Sequence, residues 1–331
     1  MPSDLRERRD SMRAMVLTGR GRLELQQIEC PELHPEGVIA RVEAVGICNA
    51  TDLRVVDAED PEQVWPNRPW PVVLGHELCG VVERVGPDVA GWQIGDRIAG
   101  WCPPCGGFAQ WCQFYPGYMA AVKVPEDMAA EDAALLELSI GTARYFFPEH
   151  VMAVVRRARS ALVLGLGPSG LLYVRECGLL GIPVVYASDR HETRRKLAAE
   201  MGAAEVFGGG DEPFRALTER GEQVDIVVDT TGKDLFGGIA RVIRAGGAIV
   251  PFGVGFDWAA NEAALRERDV IVSSANLEEG WSAAPVVLDW IRSSELPVSK
   301  LVTRRGTFED IPEALEAIRA RRDIKVVIRP V

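Results

Sequence analysis

Features that this sequence lacks exclude several classes of protein. No apolar run approaches the roughly 18 residues that a transmembrane helix needs, and the first residues, MPSDLRERRDSMR, lack the apolar core of a secretion signal. Lys and Arg number 37 against 48 Asp and Glu, which gives a net charge of −11 and no basic field for nucleic acid or an anionic membrane. We therefore expect a cytoplasmic protein whose partner is a small molecule, not nucleic acid or a membrane.

Cysteine is also scarce. Seven cysteines in 331 residues are an odd number, which argues against a disulfide framework and favours reduced thiols, some of them possible metal ligands. The sequence contains no internal repeat and no low-complexity linker, so domain boundaries follow only from changes of pattern. The charged segment 1–13 is predicted to be a loosely attached extension.

A glycine-rich segment organises the second half of the chain. The apolar run 161–164 predicts a buried strand, and a GxGxxG sequence that opens a helical pattern follows it at once. A second apolar run ends at Asp189. The predicted diphosphate-binding residues are Gly165, Gly167, Pro168, Ser169 and Gly170. Strand, glycine turn, helix, strand and acid together are the fingerprint of a dinucleotide site, whereas the glycines alone would fit a turn without a ligand.

The acid after the second strand bears on cofactor choice. The Asp189 carboxylate can accept hydrogen bonds from a ribose 2′-hydroxyl and would repel a 2′-phosphate, so NAD is favoured over NADP. Arg190 beside it weakens this preference.

The pattern of elements changes along the chain. Short alternating strands separated by glycine and proline run from Ala14 to about residue 125 and predict an antiparallel, barrel-like domain. Strands then alternate with helices, which predicts a doubly wound parallel sheet, and FGGIARVIRAGG is predicted as a helix that ends at Gly246 and Gly247. The predicted fold class is therefore α/β.

Potential metal ligands lie in the first half of the chain. Cys48 supplies a thiolate, His76 an imidazole and Glu77 a carboxylate, and these groups suit a catalytic zinc ion, with Glu137 as a further candidate. Taken singly, each has a structural alternative: a small buried cysteine, a core histidine or a solvated carboxylate.

Longer motifs carry a family resemblance. VEAVGIC, then GHELCGVVERVGPDVAGWQIGDR, then GLGPSG is similar to the zinc-dependent medium-chain dehydrogenase/reductase superfamily, and especially to its polyol, sorbitol and threonine dehydrogenases. The resemblance covers the chain from Ala14 to Val331. It implies a discontinuous barrel-like catalytic domain, 14–139 with 290–331, around a Rossmann NAD-binding domain, 140–289. It also implies a homodimer or homotetramer.

The resemblance implies roles for single residues. Cys48 and His76 match zinc-ligand positions, and Glu77 is either a ligand or a neighbouring carboxylate that exchanges with one. Glu137 falls near the third ligand position, although it lacks the proline that usually follows. The other implied residues are Thr51 as the proton relay, Asp52 as the group that orients His76 or shapes the site, Gly253 and Val254 beside the nicotinamide, and Lys325 near the cofactor phosphates.

A second zinc is not expected. The segment 101–112 holds Cys102, Cys105 and Cys112 but no fourth cysteine of a structural zinc lobe, and GGFAQW resembles the strand that follows directly in members without the lobe. The aromatic residues Trp65, Trp70, Trp101, Phe108 and Trp111 either line a substrate pocket or pack the barrel.

These observations predict an oxidoreductase with one catalytic Zn²⁺. It would transfer a hydride between NAD(H) and a secondary alcohol: a polyol, sugar alcohol, cyclitol or amino alcohol. Two alternatives remain open. One is a zinc-free NADPH-dependent quinone or enoyl reductase of the same superfamily, and the other is a non-catalytic dinucleotide-binding protein.

Overall fold

The structure is a computed structural model, and it describes residues 11–64, 70–101, 106–117, 121–253, 258, 261–274 and 281–330. The chain divides into two compact units. The first unit comprises Met1–Glu137 and Val298–Val331, and the second comprises Leu138–Pro297. None of the described helices combines the length and the apolar character needed to cross a membrane.

The strands, in chain order, are β1 (Ser11–Gly19), β2 (Arg22–Glu29), β3 (Val38–Gly46), β4 (Val72–Val73), β5 (Glu77–Val85), β6 (Arg97–Trp101), β7 (Trp111–Phe114), β8 (Ala121–Lys123), β9 (Ser160–Leu164), β10 (Val184–Ser188), β11 (Glu205–Phe207), β12 (Val224–Asp229), β13 (Ile243–Pro251), β14 (Ile271–Val272), β15 (Val302–Gly306) and β16 (Lys325–Ile328). The α-helices are α1 (Thr51–Asp57), α2 (Ala130–Ala134), α3 (Leu136–Ala143), α4 (Glu149–Val155), α5 (Pro168–Leu179), α6 (Glu192–Glu200), α7 (Glu212–Glu219), α8 (Phe236–Val242), α9 (Glu262–Arg266), α10 (Ala284–Arg292) and α11 (Ile311–Arg319). Short 3₁₀ turns lie at Pro61–Gln63, Trp281–Ala283, Val298–Leu301 and Phe308–Asp310.

The first unit is built from mainly antiparallel sheets. One described sheet has the order β2-β1-β4, and the other has the order β15-β16-β3-β5-β6-β8, with β7 also paired to β3. Only the β15–β16 pair of that larger sheet is parallel. Strand β1 begins at Ser11, so residues 11–13, which the sequence placed in the extension, belong to a sheet.

Strand β1 serves two apolar clusters because alternate side chains point to opposite faces of a strand. Met12, Ala14 and Val16 join the cluster that contains Trp111, whereas Met15 and Leu17 join the main core of the first unit. The main core is closed on another side by α11. Polar substitutions on both faces of β1 would therefore disrupt both apolar clusters.

Arg97, from the GDR part of the family motif, is a structural hub of this unit. Its Nη1 donates to the carbonyls of Pro125, at 2.8 Å, and Met128, at 2.7 Å, and its Nε donates to Glu43 at 3.1 Å. The guanidinium thus fixes the turn that follows β8, and no chemistry needs to be assigned to it.

The second unit contains a six-stranded parallel sheet in the order β11-β10-β9-β12-β13-β14. The order reverses between β9 and β12, and ligands of such sheets bind at this switch point, beyond the carboxyl ends of the strands. Strand β12 is buried along its whole length, as its apolar sequence predicts. Together the two units confirm the predicted fold class.

One element differs from its prediction. Helix α8 ends at Val242, and the residues expected to complete it, Ile243 to Gly247, instead begin β13. Ile243 pairs with Val224 of β12 and is fully buried in the apolar cluster of this unit. Burial and pairing of a β-branched side chain thus outweigh a helical pattern in the sequence.

Candidate metal centre and dinucleotide site

Pairing of β3 with β5 creates a cluster of three potential metal ligands. Gly46 at the end of β3 lies opposite Glu77 at the start of β5. Cys48 follows β3 and His76 precedes β5, so their side chains meet Glu77 with one ligand atom from each residue within 4.8 Å of the others. His76 and Glu77 are buried and Cys48 is half-buried.

The loop that carries His76 is held by a second loop. Gly107 N donates to Gly75 O at 2.6 Å, and Phe108 N donates to Leu74 O at 2.8 Å. Gly75 has a φ of +91°, and a Cβ there would lie 2.7 Å from the Phe108 ring. The glycine of the GHE motif is therefore required by backbone conformation and by close approach.

Asp52 connects Cys48 with His76. Its Oδ2 accepts a hydrogen bond from Cys48 N at 2.8 Å, and its Oδ1 lies 3.5 Å from His76 Nδ1. Burial opposes the imidazolium, yet the Cys48 thiolate and the Asp52 carboxylate together raise the pKa of His76 well above its ordinary value. The fully buried Asp52 thus lies beside both residues, and its role in orienting His76 stays a prediction.

The donor set of this cluster fits zinc. A thiolate sulfur, an imidazole nitrogen and a carboxylate oxygen are the ligand types that zinc takes, and three protein ligands are characteristic of a catalytic site. A divalent cation between them would offset the negative charge that a thiolate and a carboxylate bring into a buried place. The residues present therefore suit a zinc ion.

Glu77 also has a cationic neighbour. Lys325 Nζ lies 2.5 Å from Glu77 Oε2 and donates to Ile47 O at 2.8 Å, and both charged side chains are 1% exposed. A Cβ on Gly46 would lie 2.8 Å from the same Glu77 oxygen, so the pair rests directly against β3. The Lys325 ammonium is thus buried on Glu77 within the first unit, where it offsets that carboxylate's charge, and its place near the cofactor phosphates stays a prediction.

The remaining predicted site residues of the first unit lie around this cluster. Thr51 begins α1, and its amide donates to Cys48 Sγ at 3.4 Å. Glu137 is half-buried in the first turn of α3, and among the described residues the three-ligand cluster does not include it. The structure therefore brings Thr51 to Cys48 but does not bring Glu137 to the cluster.

The described aromatic and cysteine residues 108–112 of the segment 101–112 pack in the interior. Phe108 is fully buried in the main core, Trp111 is 7% exposed and donates to Glu83 at 2.9 Å, and Cys112 is fully buried in β7. Trp70 also packs against the main core. Trp65, Cys102 and Cys105 lie outside the described residues. Packing, not pocket lining, is the role that the structure gives Phe108 and Trp111.

A cavity of about 390 Å³ lies along one face of α1. Its polar walls come from Asn49, Arg54, Asp57 and Gln63, and its apolar walls from Leu53 and neighbouring aliphatic residues. Asn49 donates through Nδ2 to Ile324 O at 2.7 Å, while its buried Oδ1 has no hydrogen-bond partner among the described atoms. The lining of the cavity therefore mixes polar and apolar groups.

The glycine loop of the second unit has the geometry that the fingerprint predicts. Gly165 follows β9 with a φ of +85°, and a Cβ on Gly170 would lie 1.9 Å from Gly165 O. A Cβ on Gly167 would meet no atom within 4 Å, which leaves space for a ligand there. Pro168 begins α5, where its lack of an amide hydrogen costs nothing, and Ser169 follows it. The loop therefore presents free amides at the start of a twelve-residue helix.

Asp189 lies at the end of β10 and binds the same loop. Its Oδ2 accepts a hydrogen bond from Leu166 N at 2.8 Å, and its Oδ1 accepts one from His191 N at 2.7 Å. Each oxygen keeps a further lone pair for a ribose hydroxyl. Arg190 is exposed, and its Nε is 3.2 Å from His191 Nε2. Gly253 follows β13, and Val254 lies outside the described residues.

Two features of the second unit were missed by the sequence prediction. The segment after β12 contacts the glycine loop through Thr230, whose hydroxyl lies 3.0 Å from Leu164 O and from Gly165 O. A polar segment at the carboxyl end of a buried strand was the available signal. The second is Glu176 of α5, which is fully buried 2.6 Å from the Thr142 hydroxyl. Burial raises the pKa of Glu176 to about 8, although the Thr142 hydroxyl opposes the rise.

Comparison with known proteins identifies the family to which the chain belongs. The alcohol dehydrogenase GroES-like domain model matches residues 34–134, and the zinc-binding dehydrogenase model matches residues 168–292. The chain belongs to the zinc-dependent medium-chain dehydrogenase/reductase superfamily. The predicted family is thereby confirmed.

Relatives in this superfamily match over nearly full length. Human sorbitol dehydrogenase is 27% identical over 96% of this chain and 95% of its own. A protein from Sinorhizobium meliloti 1021, assigned as a zinc-binding dehydrogenase and solved with NADP, superposes with a TM-score of 0.78 at 24% identity over 97% of this chain and 100% of its own. An alcohol dehydrogenase from Escherichia coli CFT073, solved with NADH, gives 0.78 at 21% identity with the same coverages. At these identities the solved structures establish the fold alone.

Proposed function

We propose that this protein is a zinc-dependent alcohol dehydrogenase that transfers a hydride between NAD(H) and a secondary alcohol or its ketone. The observation that carries the proposal is the cluster of Cys48, His76 and Glu77 within 4.8 Å. A zinc-free reductase of the superfamily has no use for a buried thiol, imidazole and carboxylate at one point. Sequence similarity to sorbitol dehydrogenase supports an alcohol of the polyol type.

Cys48, His76 and Glu77 would hold the metal ion. When bound, zinc supplies Lewis acidity that lowers the pKa of the substrate hydroxyl. Asp52 fixes the Cys48 backbone and lies beside His76, so it orients both ligands. The Thr51 amide donates to the Cys48 sulfur and thereby stabilises its negative charge. The Thr51 hydroxyl is our proposed acceptor of the substrate proton, which it passes toward solvent.

The second unit would bind the dinucleotide. Free amides at the start of α5 would bind the diphosphate, and the Asp189 carboxylate would accept the ribose hydroxyls. When bound, the nicotinamide supplies the hydride chemistry. The negative charge of Asp189 disfavours a 2′-phosphate, which supports NAD as the physiological cofactor, while Arg190 makes the discrimination incomplete.

The substrate class is inferred from the relatives. Similarity to sorbitol dehydrogenase and to D-xylulose reductases favours a polyol, sugar alcohol, cyclitol or amino alcohol. We further propose that the enzyme works in the cytoplasm as a homodimer or homotetramer.

The test compares zinc content, dinucleotide binding and turnover in Cys48→Ser. We expect about one zinc per subunit in the wild type, and in the variant a loss of most of the zinc and at least a roughly 100-fold fall in kcat/KM. Fluorescence titration should give a nearly unchanged Kd for NADH. Cys30→Ser, at another half-buried cysteine of the first unit, is the matched control and should keep its zinc.

Two outcomes would contradict the proposal. Normal turnover in Cys48→Ser would remove the cluster from the reaction. A zinc-free wild type that metal does not activate, but that reduces quinones or enoyl compounds with NADPH, would establish the reductase alternative. About two zinc ions per subunit would instead revive a structural site.

A further inference from the structure

Thr230 occupies the point where the parallel sheet of the second unit reverses its order. It directly follows β12, and β12 is the neighbour of β9, whose end leads into the glycine loop. Thr230 N donates to Leu164 O at 3.0 Å. The Thr230 hydroxyl lies 3.0 Å from Leu164 O and 3.0 Å from Gly165 O, so its one proton is shared between the two carbonyls.

These contacts hold the Gly165 peptide, which has little conformational freedom. Gly165 has a φ of +85°, and a Cβ on it would lie 2.7 Å from the Thr230 hydroxyl oxygen. The Gly165 carbonyl, which accepts a hydrogen bond from the Thr230 hydroxyl, also packs against Gly170 of α5. Thr230 therefore contacts Gly165 directly. Through the Gly165 carbonyl it also affects how α5, the helix that would face the diphosphate, packs against the loop.

Thr230 is itself rigidly placed by its neighbours. Asp229 Oδ1 accepts hydrogen bonds from Thr231 N at 2.8 Å and from Thr231 Oγ1 at 2.7 Å. The Asp229 carbonyl accepts from Phe252 N at 2.9 Å and Gly253 N at 2.8 Å. Because the residues on both sides of Thr230 are fixed by hydrogen bonds, the Thr230 side chain can hold the loop in one position.

We propose that Thr230 is a positioning residue for the dinucleotide diphosphate. It holds the Gly165 peptide so that the amides at the start of α5 converge on the phosphates. This rests on the dinucleotide binding proposed above and adds a residue outside the GxGxxG segment. Thr230 acts through Gly165, and no contact between Thr230 and the cofactor is needed.

The test is Thr230→Val, which replaces the hydroxyl with a methyl group. A methyl group needs about 3.3 Å from a carbonyl oxygen, so both 3.0 Å contacts must open and the loop must shift. We expect the Kd for NADH, measured by fluorescence titration, to rise about tenfold. The Kd for ADP-ribose should rise by the same factor, and that of adenosine, which lacks the diphosphate, should change less than about twofold.

Two variants complete the design. Thr230→Ser keeps the hydroxyl and should restore the Kd for NADH to within about twofold of the wild type. Thr218→Val is the matched control, because it removes a threonine hydroxyl bonded to the carbonyl of Phe214, at 2.6 Å, in the same unit. It should leave the Kd for NADH unchanged. In Thr230→Val, kcat at saturating cofactor should also stay within about twofold.

Several results would overturn the proposal. They are an unchanged Kd for NADH in Thr230→Val, equal weakening in Thr218→Val, or equal weakening of adenosine and NADH. Failure of the proposed function would give a different result, because the wild type itself would then show no binding of NADH in the fluorescence titration. Zinc content should not change in any of these variants.

Discussion

Glu176→Gln tests whether the second unit carries a buried acid that is neutral at physiological pH. Glu176 is fully buried in α5, and the pKa of this carboxyl rises from 4.5 to about 8 because burial disfavours the anion. The Thr142 hydroxyl is 2.6 Å from Glu176 Oε1 and 2.9 Å from Ser139 O. The Thr142 hydroxyl donates to Glu176 Oε1, which favours the anion and opposes the rise in the pKa without cancelling it.

The sign of the pH dependence follows from linkage. The unfolded chain releases the proton near pH 4.5 and the folded chain near pH 8, so between these values the folded state binds more protons. The contribution of this group to the free energy of unfolding is full below pH 4.5 and is lost as the pH rises to about 8. The difference between the two pKa values corresponds to about 5 kcal/mol, at about 1.36 kcal/mol per pH unit.

The assay is calorimetric unfolding of wild type and Glu176→Gln from pH 5 to pH 9. Glutamine does not titrate, so between pH 5 and pH 9 the free energy of unfolding of the variant should rise by about 4 kcal/mol relative to that of the wild type. This change does not depend on the difference in stability between the two proteins at pH 5. For a unit of this size that is a relative rise in Tm of about 8–16 °C. Glu219→Gln, at an exposed glutamate of α7 in the same unit, is the control. A wild-type-to-variant difference that stays constant from pH 5 to pH 9 would refute a buried neutral Glu176.

Other predictions concern the two sites. Asp189→Ser should lower the Kd for NADPH relative to that for NADH by at least about tenfold, because repulsion of the 2′-phosphate is lost; an unchanged ratio in paired titrations would contradict the assigned role of this acid. Glu137→Gln should keep its zinc in elemental analysis, since the three-ligand cluster among the described residues does not include Glu137, and zinc loss would make it a ligand after all. In the zinc-free protein, Lys325→Met should destabilise the first unit by about 3–5 kcal/mol, because the Glu77 carboxylate is then buried without a cation. Glu77→Gln in the same chain should recover part of the lost Tm, and no recovery would mean that the pair is not coupled.

The metal cluster shows how far local sequence carries a prediction. Cys48 and His76 stood out by residue type and motif, and the antiparallel register of β3 and β5 brings them together with Glu77. Register depends on pairing along whole strands, and no single residue reports it. The sequence accordingly left the third ligand open between Glu77 and Glu137. The fold places Glu77 in the cluster, and which carboxylate binds zinc stays a prediction.

The pairing of Lys325 with Glu77 was not predicted, for a related reason. Its partner, Glu77, lies far away in sequence, and only the closing of the first unit by its C-terminal strand β16 makes the pair. The helix predicted through Gly247 failed because burial of Ile243 against β12 depends on a neighbouring strand. Thr230 escaped notice because its hydroxyl acts on the end of a strand that precedes it by more than sixty residues.

The sequence by itself determined the α/β class, the glycine loop with its acid, and the residue types able to bind zinc. These depend on short-range rules: apolar periodicity, the conformations open only to glycine, and the donor chemistry of side chains. Tertiary structure alone decided which carboxylate joins Cys48 and His76, where the Lys325 charge is neutralised, and that Thr230 holds the Gly165 peptide. Each of those depends on strand register and on which distant segments pack together, and these are properties of the whole fold.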